Sequence, residues 1–382
     1  MASRSLRVLH CIYDDPRNPW VGGGGSMRVF EIYRRLAGRV DATVATGSFP
    51  GARDETVEGV RYLRLGARSP YPWSRWTYAR AATELLARGG YDAAVYDFSV
   101  YTPLRLPRDR PVGVVVHMLH GPTARERWGR VLGGALDAAE RRSLRRARAV
   151  STTSRWMLEQ LRPLLAPDAR VELIGSGVPD EFARVERREQ RYLLYYGRFD
   201  LFQKGLDTLL QAYARISREH PEVELRVAGR GKDEDRVREL AEELGVGGCV
   251  HLRPGVERAE VLELFSGALA LLMPSRLEGL PMVPAEAMAA GVPVVATDVG
   301  AVAEVVDPPR GGLLVPPDDP AALADAVLGL LDHPARRAAL AASARRSAER
   351  FSWDAVAERH LEFLRGIAAQ DGTQPQTMQR KR

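Results

Sequence analysis

Two glutamates with seven residues between them are the most informative feature of this 382-residue chain. Glu278 and Glu286 lie in the segment PSRLEGLPMVPAEAMAAGVPVVAT (274–297). There, Gly279 permits close backbone approach and Pro284 suits the first turn of a helix. Carboxylates accept hydrogen bonds from hydroxyl groups, and free N–H groups at a helix start suit a phosphate. The segment therefore predicts a site for a ligand with hydroxyl and phosphate groups; the alternative is that Glu286 only complements the helix dipole.

Two cations follow an earlier predicted strand. Arg198 and Lys204 flank a short loop in YYGRFDLFQKGLDTLL (195–210), and the whole chain contains only three lysines. A guanidinium fork and an ammonium group at the carboxyl end of a strand can together neutralise a diphosphate. The alternative interpretation is that both are ordinary surface cations.

A run of glycines near the start of the chain predicts a third anion site. Gly22–Gly25 precede Ser26, which we expect to cap a helix over 26–37. A dinucleotide-binding fingerprint fits poorly, because its third glycine would fall at Met27. A flexible loop without a ligand is the alternative.

Two series of short apolar runs alternate with helical periodicity, which predicts βαβ units and parallel sheets. The predicted strands lie at 6–12, 41–46, 92–97, 112–119, 149–154 and 170–175, and then at 191–197, 223–229, 249–254, 268–275, 292–297 and 312–316. We expect an α/β fold with two doubly wound, Rossmann-like domains facing each other across a cleft, since the chain is long for one core. The predicted parts are a first domain (1–185), a second domain (186–350) beginning at the charged connector VERREQR, an amphipathic helix (351–366) packing back toward the first domain, and a disordered tail (367–382).

Composition narrows the class of protein further. Hydrophobic residues make up 45% and charged residues 27%, which excludes a mainly disordered or collagen-like chain. Cys11 and Cys249 are the only cysteines and have no metal-binding spacing, so a reducing compartment is expected. Because no apolar run reaches the length of a membrane span and the start lacks the apolar core of a signal peptide, we expect a cytoplasmic protein.

The charge is unevenly distributed. Residues 1–185 contain 29 arginines, no lysine and 19 acidic residues, a formal charge of +10, whereas the remainder carries −4. A basic half can attract an anionic substrate, a membrane surface or nucleic acid, and the arginine run at 140–150 could contact anionic lipid. A solvated helix face is the alternative, and nucleic-acid binding is disfavoured because no reader motif is present.

The motifs together resemble family 4 of the retaining nucleotide-sugar glycosyltransferases, which have the GT-B fold. The resemblance rests on the glutamate spacing, on GRF…KG (197–205) and on the glycine run. It is extended by VELIGSGV (171–178), AGRGKDEDRVRELAEELG (228–245), TDVGAVAEVV (297–306) and FSWDAV (351–356). It spans about residues 6 to 366 and is more specific in the second half, as expected if that half binds the donor.

The resemblance implies a role for each matching residue. Arg198 and Lys204 would hold the donor diphosphate, Glu286 the ribose, and Glu278 the transferred sugar. Further donor-binding positions are Gly23, Gly24, Arg230, Gly231, Gly279, Leu280, Met282 and Val283. Pro281 departs from the commoner glycine-containing loop and removes one N–H donor.

The resemblance also implies a histidine on the acceptor side. In VVVHMLHG (114–121), His120 matches this position, and His117 is the alternative if the register differs. The predicted catalytic set is therefore His120, Arg198, Lys204 and Glu278.

The predicted function is transfer of a hexosyl group from a nucleotide diphosphate sugar to a hydroxyl of a small-molecule, lipid-linked or glycan acceptor, with retention of configuration. No cofactor and no essential metal are expected, and the acidic clusters are interpreted as solvated surface: Asp14–Asp15, Asp233–Asp235 and Asp318–Asp319. A nucleotide-sugar 2-epimerase and a catalytically inactive sugar-nucleotide-binding protein are the alternatives.

Overall fold

The computed structural model describes residues 5–20, 23–98, 107, 110 and 112–371. The chain divides into two compact units, and each unit is described by itself. The first contains the residues up to Ser176 together with those from Trp353 onward; the second is Gly177–Ser352. The division lies before the predicted boundary at 185/186. The predicted connector belongs to the second unit, because the Arg187 guanidinium donates to the backbone carbonyl of Ser266 at 2.8 Å.

The first unit is built on an eight-stranded sheet in the order β3-β4-β2-β1-β5-β6-β7-β8. Its strands are β1 (Leu6–Cys11), β2 (Val40–Gly47), β3 (Glu55–Val57), β4 (Val60–Leu65), β5 (Ala93–Asp97), β6 (Val112–Val116), β7 (Ala149–Thr152) and β8 (Arg170–Leu173). All neighbouring pairs are parallel except β3 and β4. The first helices are α1 (Gly24–Arg35), α2 (Tyr71–Arg88), α3 (Gly121–Leu144, interrupted at Gly129) and α4 (Arg155–Leu161), followed by a 3₁₀ turn (Arg162–Leu164).

The hairpin of β3 and β4 was not predicted from the sequence. A two-residue loop joins Val57 to Val60, with Glu58 at φ 45° and Gly59 at φ 81°. Such a turn requires positive φ at both central residues and is typically signalled by Asn-Gly or Asp-Gly. The Glu-Gly pair used here is a weak signal, which explains the omission.

The second unit has a six-stranded, wholly parallel sheet in the order β11-β10-β9-β12-β13-β14. Its strands are β9 (Tyr192–Tyr196), β10 (Glu224–Gly229), β11 (Val250–Pro254), β12 (Leu271–Met273), β13 (Val294–Thr297) and β14 (Gly312–Val315). Counted within the unit, this is the order 3-2-1-4-5-6 of a Rossmann sheet, so the chain reverses its winding between β9 and β12.

Helices cover both faces of the second sheet. They are α5 (Asp180–Ala183), α6 (Leu201–Lys204), α7 (Leu206–Glu219), α8 (Glu234–Glu243), α9 (Arg258–Gly267), α10 (Val283–Ala289), α11 (Val302–Val306), α12 (Pro320–Leu331) and α13 (Pro334–Ala348), with a 3₁₀ turn (Gly247–Cys249) before β11. In α7 the buried residues Leu206, Leu209, Leu210 and Tyr213 recur at helical spacing and pack into one core layer. This amphipathic stripe fixes which face of α7 packs against the core.

The predicted fold class is confirmed in both units. Each predicted strand is present, with ends shifted by at most three residues. The last helix, α14 (Trp353–Asp371), packs against α1 in the first unit through residues such as Val356 and Leu364. The disordered tail was predicted to begin at residue 367. This is wrong for residues 367–371, which continue α14, and Ile367 is buried in that core. Residues 372–382 lie outside the described part. No described helix combines the length and apolar character needed to cross a bilayer.

Candidate functional site

The first part of the candidate site lies where the winding of the second sheet reverses. β9 and β12 are neighbours, and the segments that follow them start from the same edge. Ligands of open α/β sheets bind outside the carboxyl ends of the strands at such a point. The segment after β9 contributes Arg198 and Lys204, and the segment after β12 contributes Ser275 and Glu278.

Lys204 and Glu278 form the centre of this edge. The Lys204 Nζ donates to Glu278 Oε1 at 2.6 Å, and the buried Ser275 hydroxyl donates to the same oxygen at 2.7 Å. The lysine side chain is 17% exposed and the glutamate 9%, so the ion pair is largely withdrawn from solvent. An ammonium group and a hydrogen-bond-accepting carboxylate therefore lie side by side at this edge of the sheet.

Two glycines permit the close approach of the backbone around this pair. Gly205 has φ 63°, and a Cβ there would lie 2.0 Å from the Pro274 carbonyl oxygen. Gly300 has φ 56°, and its Cβ would lie 1.9 Å from the Glu278 carbonyl oxygen. Both positions require glycine for conformation and for space.

We expect Gly205→Ala to lower the free energy of unfolding more than Gly245→Ala. Gly245 has φ 73° and a Cβ there would meet no atom within 4 Å, so its substitution adds only the left-handed backbone strain, about 1 kcal/mol. Gly205→Ala adds a backbone clash, which costs roughly 1–3 kcal/mol more. Urea denaturation of both variants measures the difference, and equal losses would contradict the close approach.

Arg276 holds the loop after β12 against the start of α7. Its guanidinium makes two hydrogen bonds to Asp207, at 2.8 and 2.7 Å, and another to the carbonyl of Phe202 at 2.9 Å. Its backbone N–H donates to the Gln203 carbonyl at 2.9 Å. A bidentate pair fixes orientation as well as distance, so Arg276 sets the position of α6, from which Lys204 projects.

Arg198 remains exposed at the same edge. Its guanidinium donates to Gln203 Oε1 at 3.0 Å, and its carbonyl accepts a hydrogen bond from the Tyr195 hydroxyl at 2.7 Å. The structure thus brings Lys204 and Glu278 into contact and places Arg198 on the adjoining loop.

Glu286 occupies a different environment from Glu278. It lies in the first turn of α10, and burial raises the pKa of its carboxyl to about 7, with Arg258 opposing and Glu181 adding to the rise. The charge of Glu286 acts on Tyr196, whereas that of Glu278 acts on Tyr195. Tyr195 and Tyr196 are adjacent in β9 and pack into two different core layers of the second unit.

The other predicted donor positions lie on the surrounding loops. Arg230 is exposed and donates to the Gly255 carbonyl at 3.3 Å, and a Cβ at Gly231 would lie 2.2 Å from the Phe199 carbonyl oxygen. Gly279 is buried, whereas three neighbours are partly buried against the core: Leu280, Met282 and Val283. Met282 caps α10, so the backbone N–H groups of Met282 and Val283 lie at a helix start.

The glycine run in the first unit differs from the prediction. Gly23, in extended conformation, is the N-cap of α1, which begins at Gly24; Gly22 lies outside the described residues. Ser26 was expected to cap the helix, but its hydroxyl donates back to the Gly23 carbonyl at 2.9 Å. The reason is that the helix begins within the glycines, one turn ahead of the position that Ser26 would cap.

A carboxylate lies beside these glycines. The Asp14 Oδ2 would be 3.8 Å from a Cβ at Gly23. Burial raises the pKa of Asp14; Arg75 and His117 oppose the rise, and Asp97 adds to it. The predicted phosphate contact of Gly23 and Gly24 stays a prediction.

A second cluster lies at the carboxyl edge of the first sheet, where β1, β5 and β6 are adjacent. Asp97, the last residue of β5, contacts two histidines: His10 Nε2 lies 2.8 Å from Oδ1, and His117 Nε2 lies 2.8 Å from Oδ2. Burial favours the neutral form of Asp97, but His117 and His10 outweigh it and hold the pKa well below its ordinary value. Asp97 is therefore a buried carboxylate.

The two candidate acceptor-side histidines have different surroundings. His117 directly follows β6, and its side chain is 33% exposed. His120 is the N-cap of α3, and its backbone N–H donates to the Glu140 carboxylate at 3.0 Å. Sequence reasoning overlooked Asp97 and His10, although an acid ending a strand next to β1 was the available signal.

The acidic clusters are not all solvated surface, and that prediction is wrong for Asp15. Asp15 is fully buried, with Arg64 Nε at 3.0 Å and the Thr46 hydroxyl at 2.8 Å. Asp319 caps α12 by accepting from the Ala322 N–H at 2.9 Å. Within the described residues, no group of three or more acidic, histidine or cysteine side chains could hold a metal ion.

Two family models match the chain in succession. The model "Glycosyl transferase 4-like domain" matches residues 23–177, and "Glycosyl transferases group 1" matches residues 179–347. These two ranges meet close to the division between the structural units.

Individual proteins are similar over much of the chain. Glycogen synthase of Mycobacterium tuberculosis is 28% identical over 92% of this chain and 92% of its own length. D-inositol 3-phosphate glycosyltransferase of Xylanimonas cellulosilytica is 34% identical over 62% of this chain and 60% of its own. The solved structure of Anabaena HepE (Alr3699) in complex with UDP has a TM-score of 0.73 at 16% identity and covers 94% of this chain and 100% of its own.

Proposed function

We propose that this chain, which belongs to the GT4-like glycosyltransferases with the GT-B fold, transfers a hexosyl group from a nucleotide diphosphate sugar to an acceptor hydroxyl with retention of configuration. The observation that carries the proposal is the largely buried Lys204–Glu278 ion pair, which lies where the winding of the second sheet reverses. A lysine beside a carboxylate there supplies one contact for a leaving diphosphate and one for a sugar hydroxyl.

The donor is assigned to the second unit. Arg198 and Lys204 would bind the diphosphate, with the N–H groups of Met282 and Val283 near its distal phosphate. Glu286 would accept hydrogen bonds from the ribose. The bound UDP in HepE, a protein of the same fold, supports a nucleoside diphosphate as the ligand class.

The acceptor is assigned to the first unit, with His117 beside the reacting hydroxyl. The support is its position directly after β6, its partial exposure and its contact with Asp97. A basic first half, with exposed arginines such as Arg142 on α3 and Arg146 just after it, favours an anionic acceptor or contact with a membrane face. The phosphorylated acceptor in the name of the inositol-phosphate relative agrees with this class.

In the proposed reaction, the acceptor oxygen attacks the anomeric carbon as the bond to the diphosphate breaks on the same face. The acceptor proton passes to the departing phosphate oxygen, so no side chain need act as nucleophile. The protein stabilises the developing diphosphate charge through Lys204 and Arg198. We propose that these cations act without an essential metal ion.

The test is transfer with a panel of nucleotide diphosphate sugars and acceptors, with phosphorylated polyols and lipid-linked sugars among the acceptors. NMR of the anomeric proton in donor and product determines retention, and assays with EDTA determine metal dependence. A donor that epimerises without acceptor would favour the 2-epimerase. Donor binding without transfer or hydrolysis would favour an inactive binding protein.

We expect Glu286→Gln to weaken binding of the free nucleoside diphosphate, and Glu278→Gln to weaken binding only of the whole sugar donor. With a pKa of about 7, Glu286 gains its charge between pH 6 and 8, so its hydrogen bonds to ribose should strengthen as pH rises. Calorimetry at pH 6 and 8 measures this contribution as the difference between wild type and Glu286→Gln, which cancels the titration of the phosphate itself. Equal losses of nucleotide affinity in the two variants would refute the division of roles.

A further inference from the structure

The hydrogen bonds to Asp97 determine which ring nitrogen carries the hydrogen in His10 and in His117. An ionised carboxylate only accepts hydrogen bonds. The Nε2 atoms of His10 and His117 each lie 2.8 Å from one Asp97 oxygen, so each Nε2 must carry a hydrogen. A neutral imidazole protonated at Nε2 has an unprotonated Nδ1, which can only accept.

The directions of the next hydrogen bonds, from His10 into the core, follow in the same way. The Tyr33 hydroxyl lies 2.9 Å from His10 Nδ1 and must donate to it; burial raises the pKa of Tyr33 well above its ordinary value, so it keeps its hydrogen. Its oxygen then accepts from His360 Nε2 at 3.3 Å. Burial and the Arg28 charge hold the pKa of His360 well below its ordinary value, so this ring is neutral. The chain of bonds from His360 through Tyr33 and His10 therefore points in one direction, toward Asp97.

We infer that Asp97 is a positioning residue that holds His117 in the Nε2-protonated tautomer, leaving Nδ1 of this partly exposed ring to accept a hydrogen bond from the acceptor hydroxyl. The inference rests on the proposed function, in which the hydroxyl must present a lone pair to the anomeric carbon. A hydrogen bond from the hydroxyl to His117 Nδ1 orients that oxygen as the acceptor binds. The hydroxyl hydrogen then turns to the departing phosphate oxygen as the bond to the anomeric carbon forms, so the histidine takes no proton. No other hydrogen bond to the His117 ring is found within the described residues.

His10 makes this arrangement rigid. Its ring is fully buried and engages the second carboxylate oxygen, which opposes rotation of Asp97 about its side-chain bond. His360 explains why the direction is fixed. Its Nδ1 is buried without a partner in the described structure, so reversing the chain would place an N–H there and leave a buried donor unsatisfied.

The decisive variant is Asp97→Asn, which preserves volume but offers one acceptor and one donor group. Its NH₂ must face one of the two histidines, and that ring must then be unprotonated at Nε2. His117 can move its hydrogen to Nδ1 of its partly exposed ring, whereas His10 can do so only if the hydrogen bonds through Tyr33 to His360 all reverse direction. We therefore expect His117 to switch to the Nδ1-protonated tautomer.

The experiment is ¹³C and ¹⁵N NMR of histidine-labelled protein, in which ring shifts distinguish the tautomers, with the His117 signal assigned from its loss in His117→Gln. The wild-type ring should be protonated at Nε2 and the ring in Asp97→Asn at Nδ1. Turnover should fall about tenfold or more while donor KM stays within about twofold. Asp92→Asn, the same change at the opposite end of β5, is the matched control and should alter neither readout.

The inference would be overturned if the His117 ring of the wild type were protonated at Nδ1. It would also be overturned if Asp97→Asn left the His117 tautomer unchanged. The wild-type measurement decides the question even if Asp97→Asn does not fold. If the tautomer switches as expected but no donor supports transfer by the wild type, the positioning holds and the proposed function fails.

Discussion

Lys204→Ala is expected to lower turnover by about 30- to 1000-fold while leaving the protein folded. The lysine side chain is largely withdrawn from solvent beside Glu278, at the edge where a diphosphate would gain negative charge as the sugar leaves. A cation aimed at that charge contributes on the order of 2–4 kcal/mol to the transition state. Steady-state kinetics with a saturating donor measures the loss.

Two comparison variants test whether the loss is specific to the Lys204 ammonium group or follows from removing any positive charge. Lys232→Ala removes an exposed lysine from the same unit and should leave turnover within about twofold. Lys204→Arg should restore little activity, because the guanidinium is bulkier and its donors diverge. Thermal unfolding shows whether the unpaired Glu278 carboxylate destabilises the fold. A folded Lys204→Ala protein that retains half of its activity would exclude the role.

The contact between Lys204 and Glu278 is the kind of feature that sequence can predict. Each residue follows an apolar run, and the alternation of strands with helices predicts a doubly wound sheet. In such a sheet the first and fourth strands are neighbours, so residues after β9 and β12 must meet at one edge. The scarcity of lysine then singles out Lys204 among the cations of that loop.

The contacts of Asp97 show where that reasoning ends. His10 lies inside a strand pattern and is indistinguishable from a core residue, and its partners Tyr33 and His360 come from helices distant in the sequence. No periodicity links residues 10, 97, 117 and 360; the sheet order and the docking of α14 bring them together. The start of α1 was also beyond prediction, because it depends on which of several glycines adopts helical dihedrals. By residue type alone, Ser26 was the better candidate for the N-cap.

A direct comparison of two variants decides which of the candidate histidines, His117 or His120, acts on the acceptor. We expect His117→Ala to lower turnover on the order of 100-fold, because a hydroxyl no longer held in line with the anomeric carbon reacts far more slowly. His120→Ala should cost less than about threefold, since the structure holds this residue at the start of α3 through its backbone N–H and Glu140. Donor affinity should be unchanged in both variants, because Lys204 and Glu278, the residues proposed to bind the donor, belong to the other unit.

Single-turnover kinetics and donor calorimetry on the same preparations separate these effects. A large loss in His120→Ala with a small one in His117→Ala would restore the register in which His120 faces the acceptor, as the resemblance first implied. Loss of donor affinity with unchanged turnover in His117→Ala would instead make this ring a donor-side or structural residue. We expect the loss of turnover to be confined to His117→Ala. That result would mean that the histidine held by Asp97 acts on the acceptor.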